Sequence, residues 1–331
     1  MKVAIIGVSG LVGKTLLRII EQSSSIPIDE LIAVASSHSF GDMITFRNQQ
    51  HKIFLVTEAL AAKPTLAIFA AKDSTSLCWA PDFIAAGATV IDNSSAWRME
   101  ANCPLIIPEV NQHLLRKTDR LIANPNCSTI QMLMALAPLH AAYQLKRVVI
   151  STYQSVTGAG NAGVEQLMAE RAKLPPEAIA FPHSIDLNVI PQIDDFLANG
   201  YTKEEMKLVN ETRKILAAKD LAITATAVRV PVMGGHALSV NATFANDFEL
   251  DAVIDILQKS PGIVVQNDSS QKLYPMPRLV RERNEVFVGR IRRDDSCPAT
   301  LNLWIVADNL YKGAATNAWQ IAEYLYQQRW L

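Results

Sequence analysis

The sequence predicts an α/β protein in which a mostly parallel sheet is followed by a second, α+β domain with a mixed or antiparallel sheet. Three observations support this prediction. The chain has 331 residues, 49% of them hydrophobic, which is enough for two domains of about 150 residues with separate cores. Short apolar runs alternate with helical patterns in the first third. Longer runs with period-two alternation follow from about residue 145.

The first third contains five short apolar runs that we expect to be strands. They are Val3 to Ile6, Leu31 to Ala35, Leu66 to Phe69, Thr89 to Ile91 and Leu121 to Ala123. Between the first two runs, the segment from Leu11 to Ile20 has the apolar spacing of a helix that packs on a sheet. Helices alternating with nearly continuous apolar strands are typical of a parallel sheet covered on both faces.

The second domain is expected to contain five longer strands. They are Arg147 to Tyr153, Ile223 to Val232, Leu238 to Phe244, Glu285 to Arg292 and Leu301 to Ala307. In the third of these, apolar residues alternate with Ser239, Asn241 and Thr243. This alternation predicts a sheet with one buried face and one face that is wet or lies at an interface.

Two helices accompany these strands. The first begins at Thr202-Lys203-Glu204-Glu205, which has the pattern of a capping box. Its apolar stripe consists of Leu208, Val209, Ile215 and Leu216. The opposite, polar face is expected to carry Glu204, Lys207, Glu211 and Lys214. The second helix, from about Ala314 to Gln328, closes the chain.

Charge and cysteine content exclude several classes of function. With 31 Lys and Arg against 32 Asp and Glu, we expect no nucleic-acid partner and no membrane-surface partner. The cysteines, Cys78, Cys103, Cys127 and Cys297, form no C-x-x-C pair, which argues against a metal site and a disulfide scaffold. We find no export signal and no apolar run of the roughly 18 residues that a membrane span requires. The expected location is the cytoplasm.

A glycine-rich turn, Gly7-Val8-Ser9-Gly10-Leu11-Val12-Gly13, joins the first strand to the first helix. Such glycines let the backbone approach a pyrophosphate, which the helix N-terminus then binds. The spacing is G-x-x-G-x-x-G rather than the commoner G-x-G-x-x-G, but its place between a strand and a helix favours dinucleotide binding. The alternative is a turn that needs glycine only for close packing.

The segment Ser36-Ser37-His38-Ser39 follows the second strand, where an NAD-binding domain usually has an acidic residue for the ribose 2′-hydroxyl. With no carboxylate to repel it, a 2′-phosphate can be accepted by the serine hydroxyls and His38. The sequence therefore favours NADP over NAD. The alternative is that these are ordinary loop serines.

Cys127 lies at the start of an apolar helix, in the segment Asn124-Pro125-Asn126-Cys127-Ser128-Thr129. Backbone N–H groups and the dipole at a helix N-terminus favour a thiolate and lower the pKa of a thiol below about 8.5. Cys127 is therefore a candidate nucleophile. The alternative is an inert, small hydrophobic residue, which most isolated cysteines are.

A cysteine nucleophile also requires a base, and His236 is the best-placed histidine. The segment from Arg229 to His236 ends a strand in a tight glycine turn, which can bring a guanidinium and an imidazole to one end of a sheet. A third segment, Ser151 to Gly160, ends another strand in a glycine-rich loop. The three segments together predict a site that combines a thiol, an imidazole and a guanidinium.

These motifs resemble those of the bacterial aspartate-semialdehyde dehydrogenase family, and the resemblance runs in order from residue 1 to about residue 325. It rests on the segment around Cys127 and on Ser151-Thr152-Tyr153-Gln154, Arg229 seven residues before His236, Asp92-Asn93-Ser94-Ser95-Ala96-Trp97-Arg98, Ala307-Asp308-Asn309-Leu310 and Lys312-Gly313-Ala314-Ala315.

The resemblance implies a Rossmann-type NADP-binding domain over residues 1–127, with residues 308–331 packing back on it. Residues 128–307 would form an α+β domain for substrate binding and dimerisation. The implied reaction is reversible reductive dephosphorylation of L-aspartyl-4-phosphate to L-aspartate 4-semialdehyde, in the biosynthesis of lysine, threonine and methionine. The implied partners are the small-molecule substrate, phosphate and further copies of the chain in a homodimer or higher homo-oligomer.

The same resemblance assigns roles residue by residue. Cys127 would form an acyl-thioester, His236 would be the acid/base, and Gln154 would orient the intermediate. Substrate would be bound by Asn126, by Arg229 at its carboxylate, by Glu204 at its amino group, and by Arg98 and Lys207 at the phosphate. The cofactor-binding residues would be Gly7, Ser9, Gly10, Leu11, Val12, Gly13, Ser37, His38, Thr157, Gly158, Asn309 and Gln320.

Three segments depart from the usual pattern of the family. His38 and Asp42 stand where the family usually offers an arginine and a lysine to the 2′-phosphate. Lys72-Asp73 replaces part of a Ser-Ala-Gly-Gly run close to the cofactor, and Met233 replaces a common aromatic residue. Two alternatives therefore remain open: a related acyl-phosphate or semialdehyde reductase, and a non-catalytic paralogue with a weakened cofactor site.

Overall fold

The computed structural model describes residues 1–331, which form two compact units. The N-terminal unit comprises Met1–Pro125 and Ala314–Leu331, and the second unit comprises Asn126–Gly313. Each unit contains one sheet and its own helices. The predicted fold class, an α/β unit followed by an α+β unit, is confirmed. The division of cofactor and substrate between the units stays a prediction.

Thirteen strands build the two sheets. They are β1 (Lys2–Ile6), β2 (Glu30–Val34), β3 (Met43–Phe46), β4 (Gln49–Phe54), β5 (Leu66–Phe69), β6 (Thr89–Asp92), β7 (Leu121–Ala123), β8 (Leu145–Gln154), β9 (Ala222–Arg229), β10 (His236–Phe244), β11 (Ile263–Val265), β12 (Val286–Arg293) and β13 (Thr300–Ala307).

Nine α-helices accompany the strands. They are α1 (Leu11–Gln22), α2 (Val56–Ala61), α3 (Asp73–Ala85), α4 (Pro108–Asn111), α5 (Cys127–Tyr143), α6 (Gly160–Arg171), α7 (Lys203–Ile215), α8 (Leu250–Lys259) and α9 (Thr316–Gln327). None of them is long and apolar enough to cross a bilayer.

The N-terminal sheet has the strand order β3-β4-β2-β1-β5-β6-β7. All neighbouring strands are parallel except the β3–β4 hairpin. The five predicted strands are confirmed, and the hairpin is an addition that the sequence analysis missed. Its turn uses Arg47 and Asn48 at positive φ and contains no glycine, so it lacks the usual signal of a hairpin turn.

The second sheet has the order β11-β12-β13-β10-β8-β9. The β12–β13, β13–β10 and β10–β8 pairs are antiparallel, whereas β11–β12 and β8–β9 are parallel. The alternation predicted in β10 is confirmed, since Leu238, Val240 and Ala242 are buried while Ser239 is exposed. The short strand β11 was missed.

Both predicted helices are present, and each differs from the prediction in one detail. The predicted last helix begins as a π-helical turn, Tyr311–Ala315, and becomes α-helical only from Thr316. The capping box of α7 is confirmed, but its predicted polar face is not exposed throughout: Glu204 is 5% and Glu211 1% exposed. Both buried carboxylates accept hydrogen bonds from Asn126, the residue before α5.

Candidate active site

Strand register in the second unit brings three of the predicted residues to one end of its sheet. Gln154 at the end of β8 pairs with Arg229 at the end of parallel β9. His236 begins β10, which runs antiparallel to β8, and it pairs with Ala307 at the end of β13. The predicted gathering of an imidazole and a guanidinium at one sheet end therefore agrees with the strand pairing.

Cys127 is the first residue of α5, and Asn126 is the N-cap. The Asn126 side-chain oxygen accepts from the N–H groups of Ser128 and Thr129, at 2.9 and 3.3 Å. These bonds satisfy two donors that a helix start otherwise leaves unpaired. Cys127 is partly exposed, so its thiol combines a helix N-terminus with access for a reactant.

Helix α7 holds Asn126 through two carboxylates that are seven residues apart. Glu204 Oε1 accepts from Asn126 Nδ2 at 3.0 Å, and Glu211 Oε2 accepts from the Asn126 backbone N–H at 2.7 Å. Glu204 Oε1 also accepts from Gln154 Nε2 at 3.0 Å. One buried oxygen therefore links the residue before the cysteine to the end of β8.

Lys207 balances the charge of Glu204. Its Nζ donates to Glu204 Oε2 at 3.3 Å and to Asp194 Oδ2 at 2.9 Å. Burial raises the pKa of Glu204, but Lys207, the Gln154 and Asn126 amides and Arg229 outweigh it and leave that pKa below its ordinary value. Glu204 is therefore a buried anion, available to a ligand cation.

Arg229 is 5% exposed, and one of its donors has no partner in the protein. Its Nη1 donates to the Ser155 carbonyl at 2.7 Å, and its guanidinium lies over the Phe181 ring at 5.6 Å. Its Nε is buried and has no acceptor in the protein. Burial lowers the pKa of Arg229, while Glu204 and Cys127 act in the opposite direction. An anion placed beside Nε would complete its bonding.

His236 is fully buried. Its Nδ1 accepts from the Ser155 backbone N–H at 3.1 Å, while its Nε2 has no partner in the protein. Burial and then the charge of Arg229 lower the pKa of His236 to about 3, whereas Glu204 acts in the opposite direction. The imidazole is therefore neutral near pH 7.

The loop after β8 places Gly158 beside both of these side chains. A Cβ on Gly158 would lie 2.7 Å from Arg229 Nη1 and 3.2 Å from His236 Nε2. Thr157 donates to Asn309 Oδ1 at 2.9 Å. Three residues predicted to bind the cofactor, Thr157, Gly158 and Asn309, thus lie next to the imidazole or in its hydrogen-bond network.

In the N-terminal unit, Arg98 is fixed by backbone carbonyls. Its Nε donates to the Asn124 carbonyl at 2.9 Å and its Nη2 donates to the Asn93 carbonyl at 2.8 Å. Both acceptors follow the carboxyl ends of neighbouring strands, β7 and β6. Arg98 is therefore held at the edge where parallel sheets bind ligands.

The glycine-rich turn has room for a dinucleotide. Glycine is required by close packing at some of its positions but not at all of them. A Cβ on Gly7 would lie 2.3 Å from the Ala70 carbonyl oxygen, and a Cβ on Gly13 would lie 2.3 Å from the Gly7 carbonyl oxygen. Packing alone therefore requires these two. A Cβ on Gly10 would meet nothing closer than 3.4 Å.

The backbone at the start of α1 also favours dinucleotide binding. Gly10 is the N-cap and offers no side-chain cap. No acceptor is present for the N–H groups of Leu11, Val12 and Gly13. An uncapped helix start with three free N–H groups, beside Ser9 and without bulky side chains, suits a phosphate group.

Ser37 and His38 lie in an exposed 3₁₀ turn after β2. Gln320 in α9 donates to Glu109 Oε1 at 2.9 Å.

Among the residues that depart from the family pattern, Asp73 accepts hydrogen bonds from the Ser95 backbone N–H at 2.9 Å and from the Ser95 hydroxyl. Asp73 therefore has a structural role, since it anchors the loop that leads to Arg98.

The sequence analysis missed three contributors to this site. Ser155 provides the N–H that faces His236, and Glu211 anchors Asn126. Gly313 packs against the nucleophile, because a Cβ there would lie 2.8 Å from Cys127 Cβ. For Glu211, the signal in the sequence is its i, i+7 spacing from Glu204 on the polar face of one helix.

Comparison with known proteins identifies the family of this chain. Residues 2–118 match the family model "Semialdehyde dehydrogenase, NAD binding domain", and residues 136–312 match "Semialdehyde dehydrogenase, dimerisation domain". The aspartate-semialdehyde dehydrogenase of Aquifex aeolicus (strain VF5) is 44% identical over 335 residues, which cover 99% of this chain and 98% of that protein. The chain belongs to the aspartate-semialdehyde dehydrogenase family.

Further members of the family agree. The enzyme of Bacillus subtilis (strain 168) is 42% identical and is covered to 97% of its length by 98% of this chain. The crystal structure of aspartate semialdehyde dehydrogenase II from Vibrio cholerae is 42% identical, with a TM-score of 0.94 over 98% of both chains. The predicted resemblance is thus confirmed. The two family models give the chain an NAD-binding domain and indicate a homo-oligomer.

Proposed function

We propose that this chain catalyses the reversible, NADP-dependent reductive dephosphorylation of L-aspartyl-4-phosphate to L-aspartate 4-semialdehyde. The Vibrio cholerae structure that is described as complexed with ASA is 41% identical to this chain. One observation carries the proposal for this chain's own residues. A partly exposed cysteine at a helix start has its N-cap bonded to Glu204, which Gln154 also contacts at the sheet end that carries Arg229 and His236.

Cys127 is the proposed nucleophile. Its thiolate would attack the acyl carbon of the phosphorylated substrate, so that phosphate leaves and an acyl-thioester remains on Sγ. The helix N-terminus and the nearby Arg229 favour the anionic form of the sulfur. Gln154 would orient the acyl group, and His236 would act at its carbonyl oxygen.

The substrate's own charges fit the buried charges of the second unit. Arg229 has an unpaired Nε and would bind the α-carboxylate through its guanidinium fork. Glu204 is an anion that would accept the α-ammonium group, with Asn126 beside it. Lys207 and Arg98 would bind the phosphate, by their match to the positions that the family uses.

The cofactor would be held by Gly7 to Gly13 at its pyrophosphate and by Ser37 and His38 at its 2′-phosphate. We further assign Gln320, Thr157, Gly158 and Asn309 to cofactor binding, by their match to the positions that the family uses. When bound, NADPH supplies the hydride that reduces the thioester carbon. The absence of a carboxylate from Ser36-Ser37-His38-Ser39 supports NADP over NAD.

Two alternatives have less support. A reductase for another acyl phosphate would not need a buried anion for an α-ammonium group, yet Glu204 is held as one by four neighbours. A non-catalytic binder was suggested by His38, Asp42 and Lys72-Asp73; of these residues, Asp73 has a structural role in this chain. We also propose a homodimer as the oligomer and the cytoplasm as its location, as the family resemblance implies.

The purified protein should reduce NADP in the presence of aspartate semialdehyde and inorganic phosphate, and Cys127→Ala is the matched control. The wild type should turn over, and the variant should not exceed the background rate. Mass spectrometry should find an acyl adduct on the wild-type Cys127 peptide. Turnover no faster than that of Cys127→Ala would refute the proposal. A panel of other semialdehydes would identify a related reductase, and the absence of any rise in Tm with NADPH would indicate a non-catalytic protein.

A further inference from the structure

Arg98, the arginine proposed to bind phosphate, takes its orientation from the backbone of two asparagine residues. Its Nε donates to the Asn124 carbonyl at 2.9 Å, and its Nη2 donates to the Asn93 carbonyl at 2.8 Å. Two bonds from different nitrogens of one planar group fix both the plane and the direction of the guanidinium. A shift of either carbonyl would therefore turn the group that has to meet the phosphate.

Both asparagines stand one residue beyond a strand. Asn93 directly follows β6, and its N–H donates to the Phe69 carbonyl at 2.9 Å. Asn124 directly follows β7, and its N–H donates to the Asp92 carbonyl at 2.8 Å. The pairing of neighbouring strands ends one residue earlier in each case. The two carbonyls that hold Arg98 therefore lie where the sheet no longer fixes the chain from both sides.

The side chains of these residues belong to a chain of three amides. In the first turn of α9, Asn317 Nδ2 donates to Asn124 Oδ1 at 2.7 Å. Asn124 Nδ2 donates to Asn93 Oδ1 at 3.0 Å, and Asn93 Nδ2 donates to the Phe69 carbonyl at 2.8 Å. Asn317 and Asn124 are 0% and 1% exposed. Since water does not compete for these bonds, the aligned amides strengthen one another.

Backbone carbonyls determine the direction of this chain. Asn317 Nδ2 also donates to the Ile106 carbonyl at 2.9 Å, and Asn124 Nδ2 also donates to the Ala314 carbonyl at 3.3 Å. A carbonyl can only accept, so the nitrogen of each amide must face it. The donors therefore run in one direction, from α9 to the end of β5. Reversal of one amide would bring two oxygens together at the next link.

We propose that Asn317 is a positioning residue for the reaction, because its amide holds the two asparagines whose carbonyls orient Arg98. This inference rests on the proposed function for the anion that Arg98 binds. Loss of the Asn317 donors would leave the Asn124 side-chain oxygen buried without its partner. The Asn124 residue would then shift or rotate, and the guanidinium bonded to its carbonyl would follow. The affinity for phosphate should fall, while the other reactants should bind as before.

The first test is a double-mutant cycle. KM for inorganic phosphate is measured with aspartate semialdehyde and NADP at saturation. Asn317→Ala should raise it by about tenfold, the equivalent of one hydrogen bond to a charged group, with KM for the other two reactants unchanged. In an Arg98→Lys background no guanidinium remains to be oriented, so the same substitution should change KM for phosphate by less than about twofold. An equal rise in both backgrounds would overturn the proposal.

Asn111→Ala is the matched control, because it also removes a buried amide from the N-terminal unit. Asn111 is 4% exposed; its Nδ2 donates to the Leu105 carbonyl at 2.9 Å, and its Oδ1 accepts from the Ile107 N–H at 2.9 Å. These partners flank Ile106, which accepts from Asn317, so the control also tests a general loosening of this segment. Its KM for phosphate should stay within about twofold of the wild type. A rise equal to that of Asn317→Ala would contradict the proposal.

The second test observes Arg98 without turnover. Protein labelled with nitrogen-15 arginine is studied by NMR, and Arg98→Lys identifies the Nε–H signal of this residue. An Nε–H bonded to a buried carbonyl exchanges slowly with solvent. In Asn317→Ala the exchange should be faster by about tenfold, and in Asn111→Ala it should match the wild type. An unchanged exchange rate in Asn317→Ala would overturn the proposal. Asn317→Ser keeps one donor and is the milder variant if the alanine variant does not fold; the same changes are expected in it, with smaller size.

These readouts separate the inference from the proposed function. If the wild type shows no turnover, the proposed function fails, and the exchange rate still decides whether Asn317 orients Arg98. If Arg98→Lys leaves KM for phosphate unchanged, Arg98 is wrongly assigned to phosphate. If Arg98→Lys raises this KM and Asn317→Ala does not, only the positioning role of Asn317 fails.

Discussion

The backbone N–H of Asn126 donates a hydrogen bond to Glu211 Oε2 at 2.7 Å. This contact holds the residue before the nucleophile against α7. We predict that Glu211→Ala leaves a buried N–H without an acceptor and lowers the free energy of unfolding by about 1–3 kcal/mol. Because the start of α5 would shift, kcat should also fall by roughly tenfold or more.

Glu211→Gln is the matched control, since its amide oxygen can still accept from the Asn126 N–H. Denaturant unfolding and steady-state kinetics of the three proteins would measure both effects. Equal losses in the alanine and glutamine variants would mean that the acceptor at this position is not what matters.

Gly313 provides a steric test of the nucleophile's position. A Cβ there would lie 2.8 Å from Cys127 Cβ, closer than two carbon atoms can pack. Gly313→Ala should therefore displace Cys127 and reduce kcat by about 100-fold. Its cost in stability should be that of overpacking, about 1–3 kcal/mol.

Gly200→Ala is a control for the loss of stability alone. Gly200 lies in an exposed turn at a φ of +83°, and a Cβ there would meet nothing within 4 Å. Alanine should cost about 1–2 kcal/mol through its backbone conformation and leave kcat unchanged. If both variants lose activity in proportion to stability, Gly313 has no specific effect on Cys127.

Much of the fold could be predicted because its signals are local. The five short strands of the N-terminal unit are continuous apolar runs, and their bounds differ from the prediction by a residue at most. The β3–β4 hairpin could not be predicted in this way. Its strand Gln49–Phe54 is mostly polar and exposed, and it pairs through backbone hydrogen bonds that leave no apolar pattern.

Some residues of the candidate site could likewise be predicted from local sequence, and others could not. Cys127 was identifiable because a helix start follows directly from the sequence around it. The surroundings of His236 were not predictable, because its neighbour Ser155 lies 81 residues away in the chain. The burial of Glu211 was not predictable either, because periodicity shows only that this residue lies opposite the apolar stripe of its helix. Which neighbour covers that face is decided by tertiary packing.

Arg229 tests the difference between a guanidinium and an ammonium group. Nη1 is used by the Ser155 carbonyl, so a ligand must be bound by the other nitrogens of the fork. A lysine offers one point charge in their place. Arg229→Lys should raise KM for aspartate semialdehyde by about 10–100-fold, the equivalent of one charged hydrogen bond.

The control for Arg229→Lys is Arg171→Lys, which changes an exposed arginine of the same unit that bonds Asp186. Its KM should remain within about twofold of the wild type, as expected for a surface ion pair. An unchanged KM in Arg229→Lys would remove Arg229 from the carboxylate site.

Cofactor preference is expected to depend on the exposed turn after β2. Ser37 lies in this turn and has no carboxylate neighbour within Ser36-Ser37-His38-Ser39. Ser37→Asp should weaken NADPH binding by about tenfold, because the new charge repels the 2′-phosphate and can bind a ribose 2′-hydroxyl instead. NADH is the internal control, and its Kd should stay the same or fall. Titration calorimetry with both cofactors measures the ratio, and an unchanged ratio would place the 2′-phosphate elsewhere.

The buried neutral His236 should make the protein sensitive to acid. Its pKa is about 3 in the folded chain, against an ordinary value of 6.5. Below pH 6.5 the His236 imidazole binds a proton in the unfolded chain but not in the folded chain. The free energy of unfolding should therefore fall with pH by about 1.4 kcal/mol per pH unit until the folded pKa is reached. The stability that depends on neutral His236 is fully present above pH 6.5 and is lost as the pH falls toward 3.

Other groups titrate nearby, so the prediction concerns a difference between two proteins. Burial also lowers the pKa of His140, which adds acid sensitivity, and burial raises the pKa of Asp92, which acts in the opposite sense. Both groups are unchanged in His236→Asn, whose side-chain oxygen can accept from the Ser155 N–H. Between pH 6.5 and about 4.5, the wild-type slope should exceed that of the variant by about 1.4 kcal/mol per pH unit. Denaturant unfolding at a series of pH values measures both slopes, and parallel curves would show that His236 titrates normally in the folded protein.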